Sequence, residues 1–92
     1  MKTFTAEEQA MFTKGLEAEA FLTNPAFASA INEMSENIAN AILASKIEET
    51  EKRERLYNLY LALSELIAML SARVAIKENL AAAAQDDDSE IE

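Results

Sequence analysis

Apolar residues recur along most of this chain at helical spacing, and they fall into three blocks. In the clearest block Phe27, Ile31, Met34, Ile38 and Ala41 are spaced 4, 3, 4, 3. That is a heptad seam, one apolar line on a helix of 3.6 residues per turn. A second seam follows with Leu56, Tyr60, Leu63, Ile67, Leu70 and Val74, spaced 4, 3, 4, 3, 4. Between them, from Ser45 to Arg55, Ile47 is the only large apolar side chain. A single rod would keep one heptad phase. Counting sevens from Phe27 reaches Arg55 rather than Leu56, so the pattern predicts a turn near residues 44–49 and a hairpin.

The ends of these elements are marked. Asn24 before Pro25 is an N-cap followed by proline at the first helical position, a strong start signal. The second helix is predicted over about 25–44 and the third over about 47–84, with Ser45 to Glu48 as a possible capping box. Thr5 and Glu8 form another capping box ahead of a first helix over about 6–22. The apolar residues of that helix are Ala10, Met11, Phe12, Leu16, Ala20 and Phe21, a broad and imperfect stripe. Gly15 in its middle weakens it by about 1 kcal/mol relative to alanine. The predicted class is all-α: an antiparallel helical hairpin with an additional N-terminal helix, in one helical domain over 1–84. Residues 85–92 are expected to form a disordered acidic tail.

Composition supports that class. Ala, Glu and Leu, all strong helix formers, dominate, while the 92 residues hold one Gly and one Pro. The formal charge is −9. Asp86, Asp87, Asp88, Glu90 and Glu92 supply five of the negative charges, which leaves twelve acids against eight bases on residues 1–84. The early carboxylates Glu7 and Glu8 are unlike a signal peptide, and no uninterrupted apolar run reaches the roughly 18 residues of a membrane span. The expectation is a protein of the cytoplasm or the virion, not secreted and without a membrane.

The basic cluster over 51–55 asks whether nucleic acid is bound. Glu48 precedes Lys52 by four residues, Glu49 precedes Arg53 and Glu51 precedes Arg55. Acid-first pairs at this spacing stabilise an exposed helix by a few tenths of a kcal/mol each. A nucleic-acid footprint would leave its cations unpaired on one face. The cluster therefore reads as a charge ladder, and nucleic acid is not an expected partner.

No enzyme is expected. There is no His and no Cys, so the usual nucleophile–base pairs are missing. Gly15 stands alone, so no glycine-rich loop can cradle phosphate. Glu33 with Glu36, and Glu48 with Glu51, are carboxylate pairs commonplace on Glu-rich helices. No catalytic residue, cofactor, metal or small-molecule substrate is assigned.

The segment "LTNPAF" at 22–27, followed by "EKRERLYNLYLALSELIAML" at 51–70, resembles a group of short bacteriophage helical-hairpin proteins. The residues carrying the likeness are Asn24, Pro25, Phe27, Arg53, Glu54, Leu56 and Tyr57, and it covers roughly residues 20–75. The resemblance implies a structural or accessory role in virion assembly, in the cytoplasm of an infected cell. A third helix longer than its neighbour, with Leu59, Leu66, Met69 and Arg73 beside the main seam, suggests more than one contact surface. Protein partners are therefore expected, either copies of the chain in a coiled-coil-like oligomer or phage structural proteins. The expected contact residues are Tyr57, Leu66, Met69 and Ile76. The alternative is a small acidic inhibitor that mimics nucleic acid and occupies a basic channel of a host enzyme.

Overall fold

The computed structural model describes residues 3–91, with side chains for residues 3–85. The protein is all-α. The described residues form α1 (Ala6–Leu22), α2 (Pro25–Leu43) and α3 (Thr50–Ile91), with no strand among them.

The start signals act as their chemistry requires. The Thr5 hydroxyl accepts from the Glu8 N–H at 3.0 Å, and the Glu8 carboxylate accepts from the Thr5 N–H at 2.9 Å. This reciprocal pair satisfies two donors at the α1 end. Asn24 adopts an extended backbone, and its Oδ1 accepts from the Phe27 N–H at 3.1 Å. Pro25 then has no unsatisfied donor to bury.

Two boundaries differ from the sequence reading. α3 begins at Thr50 rather than near 47, because Ser45 turns backward instead of capping forward. Its hydroxyl donates to the Ile42 carbonyl at 2.6 Å, which closes the end of α2. α3 then runs past Ala84 to Ile91. No Gly or Pro interrupts it, and extending a formed helix is far easier than starting one. From Asp86 onward the side chains lie outside the described residues, and so does the role of the acidic tail.

The chain divides into two compact units. One unites α1 with α3 from Met69 onward, and the other holds residues 23–68. In the first, Ala18 and Leu70 are buried along with Gly15. The inward line of α1 is Met11, Gly15, Ala18 and Leu22, spaced 4, 3, 4. Leu16 and Phe21, both on the predicted stripe, are exposed. The reason is steric: small residues let α1 lie close to Arg73 and Lys77 of α3. Lys77 donates from its half-buried position to the Glu19 carboxylate. Phe4 and Phe12 add a tilted ring pair at 5.4 Å.

In the second unit the buried apolar residues are Ile38 and Leu63. The α2 seam follows the predicted spacing at Phe27, Ile31, Ile38 and Ala41. Met34 is exposed, while Ser35 is half-buried in line with Ile31, Ile38 and Ile42. The α3 seam follows the predicted spacing, except that Tyr60 is exposed.

Candidate protein-contact site

The turn between α2 and α3 is built from side chains that hold its backbone. The Lys46 N–H donates to Glu49 Oε1 at 2.8 Å, and the Glu49 N–H donates to the Lys46 carbonyl at 2.9 Å. Arg53 reaches back from α3. Its guanidinium donates to the carbonyls of Lys46 and Ile47, the latter at 3.0 Å, and to the Ser45 hydroxyl at 3.3 Å. A planar fork of five donors suits this task, and one lysine could not replace it.

The charge cluster is thus put to a different use than the predicted ladder. None of the three acid-first pairs at four-residue spacing closes to an ion pair. Glu49 instead pairs with Lys52 three residues on, at 3.7 Å, and Arg53 is taken up by the turn. The loop between the helices leaves carbonyls without intrahelical partners, and a charged donor is drawn to them.

Glu49 is the group in this turn whose titration matters. The Lys46 N–H favours its charged form most; desolvation, next in size, opposes it, and Lys52 and then Arg53 add to the lowering, so that the carboxyl is held below its usual value near 4.5. The folded state therefore favours deprotonation. That contribution is present above the unfolded value and is lost as the pH falls through the folded one. An NMR titration should show the Glu49 carboxyl titrating below a free glutamate side chain, with the Lys46 amide moving in step. Glu49→Gln should abolish the coupled shift. A Glu49 midpoint at or above that of a free glutamate side chain would contradict the bond.

Against this braced turn lies an apolar groove of about 350 Å³ lined by Ala39, Ile42, Leu43, Tyr57 and Tyr60. Leu43 is 83% exposed, and Ile47 at the turn is 90% exposed. The sequence reading gave neither residue a role. The available signal was a large apolar side chain, Ile47, alone in a polar decade.

The predicted contact residues do not form one patch. Tyr57 and Leu66 are nine residues apart on α3, two and a half turns, and so point to opposite sides. Tyr57 belongs to the groove beside α2. Leu59 and Leu66 in the second unit, and Met69 and Ile76 in the first, are each seven residues apart on α3, and all four are more than 40% exposed. Ile76 also borders a smaller recess of about 200 Å³ with Met11, Lys14 and Arg73. Arg73 lies over Met69, with its Nη2 3.9 Å from the Met69 sulfur.

One helix among the described residues is long and apolar enough to cross a membrane by length and composition alone. Within Thr50–Gln85 an 18-residue window reaches a mean hydropathy of 1.7 with at most two charged residues, and only 6% of it is buried. Counting uninterrupted apolar residues misses this window, because scattered polar residues break each run without lowering the average far. A soluble helix with apolar lines on several sides gives the same profile. Among the described residues no group of three or more Asp or Glu side chains gathers to hold a metal. No family model, curated protein or solved structure matches the chain.

Proposed function

We propose that this protein is a non-enzymatic protein–protein contact component, and that its setting is bacteriophage virion assembly. α2 and α3 act in it as an antiparallel hairpin. The six-residue connection over 44–49 and the side chains shared between Ala39–Leu43 and Tyr57–Tyr60 support that arrangement. The observation that carries the functional reading is the apolar side of α3, where Leu59, Leu66, Met69 and Ile76 stand exposed at helical spacing. Apolar side chains in such a line, rimmed by charge, mark a surface that another protein covers. The phage setting rests on the resemblance carried by Asn24, Pro25, Phe27 and the Arg53–Tyr57 segment.

The test is capture of partners by the tagged full-length chain from lysate of infected host cells, read by mass spectrometry. Recovery of head, portal or tail proteins is expected. Recovery of a host nuclease or polymerase, with salt-sensitive binding that depends on residues 86–92, would replace this reading with that of an acidic decoy.

A further inference from the structure

The end of the second unit carries both halves of a self-complementary contact. One half is the groove between Leu43 and Tyr60. The other is Ile47, a branched apolar side chain 90% exposed on a turn fixed by Arg53, Ser45 and Glu49. Exposing such a side chain on a flexible loop would have no structural meaning. Bracing it with a charged donor on two carbonyls means that little further ordering is needed to bury it. We infer that two copies of this chain associate through these ends, with Ile47 of each copy inserted in the Ala39–Ile42–Leu43–Tyr57–Tyr60 groove of the other.

Two observations select a second copy as the occupant. First, knob and groove lie on one chain, which is what a two-fold interface requires: residue i meets j while j meets i. Second, charge permits it. The whole chain carries −9, which opposes self-association, yet residues 43–53 hold Lys46, Lys52 and Arg53 against Glu48, Glu49 and Glu51. This segment has no net charge, so copies can meet here without the repulsion present elsewhere. The separate α3 surface of the proposed function takes no part in this contact, and the inference does not depend on it.

The test is sedimentation equilibrium of the full-length chain and of Ile47→Glu. The native chain should dimerise reversibly, and the variant should do so about 30-fold more weakly or not at all, the loss expected for an interface hot spot. Its circular dichroism should be unchanged, since residue 47 lies outside every helix. The chain has no cysteine, so a mixture of Ile47→Cys and Tyr60→Cys chains should form a mixed disulfide dimer on mild oxidation. A native chain that stays monomeric over the whole concentration range would overturn the inference. So would a dimer that Ile47→Glu leaves intact. Met69→Glu should leave this dimer unaffected, which separates its failure from failure of the α3 contact.

Discussion

Gly15→Ala lowers the melting temperature of the protein, even though it improves the helix in which it sits. In an isolated helix the change would stabilise by about 1 kcal/mol. Here a methyl group at position 15 would overlap Lys77 Cβ and stand 2.8 Å from the Arg73 carbonyl oxygen. Neither atom is the free end of a side chain, so neither can swing aside. α1 must lift from α3, which loosens Ala18 and Leu70 and stretches the Lys77–Glu19 ion pair. Overpacking of this kind costs typically 1–3 kcal/mol, so the net effect is destabilising by about 1 kcal/mol. In a domain of this size each kcal/mol moves the midpoint by about 4–8 °C. Gly15→Leu should cost several times more. Glu17→Ala, on the exposed side of the same helix, serves as the control and should be neutral or slightly stabilising. Thermal melts followed by circular dichroism decide the matter. A higher midpoint for Gly15→Ala would mean that α1 does not approach α3 this closely.

Gly15 also shows where the sequence is legible and where it is not. The three helices and the turn at 44–49 were readable because caps and proline act locally. Thr5, Glu8, Asn24 and Pro25 need only their near neighbours to set a boundary. The α3 seam was readable because large apolar side chains at 3–4 spacing leave one way to bury them. The inward side of α1 was not. A search for large apolar residues selects Leu16 and Phe21, whereas the packing uses Gly15 and Ala18, whose value lies in what they leave out. Arg53 was misassigned for a related reason. Helix spacing offers it Glu49, but the turn carbonyls become competitors only once the loop has closed. Tyr57, an aromatic suited to an interface, and Leu66, on the stripe beside the main seam, are both expected contact residues, although nine residues on a helix set them on opposite sides.

Met69→Glu combined with Ile76→Glu abolishes capture of the α3 partner while leaving the helices in place. The fold tolerates the pair for specific reasons. Both side chains are close to half exposed, so little buried apolar area is lost. Glutamate is a good helix former. At 69 it stands four residues before Arg73, the favourable order for an ion pair. At 76 it faces a recess that already holds Lys14 and Arg73. Helical ellipticity and the melting temperature should therefore change little. Binding cannot tolerate the change, because a partner that covers this line must strip water from two new carboxylates. Truncating one central anchor commonly weakens an interface by about 30-fold, and two buried charges should exceed that. Leu61→Glu is the matched control. Leu61 is equally exposed, but it lies five residues from Leu66 and about 140° around the helix. Its replacement should leave capture intact. Undiminished capture by the double variant would show that partners bind elsewhere on the chain. Loss of capture in both the double variant and Leu61→Glu would instead point to a contact that surrounds α3, as a membrane or a closed bundle would, and not to one line along it.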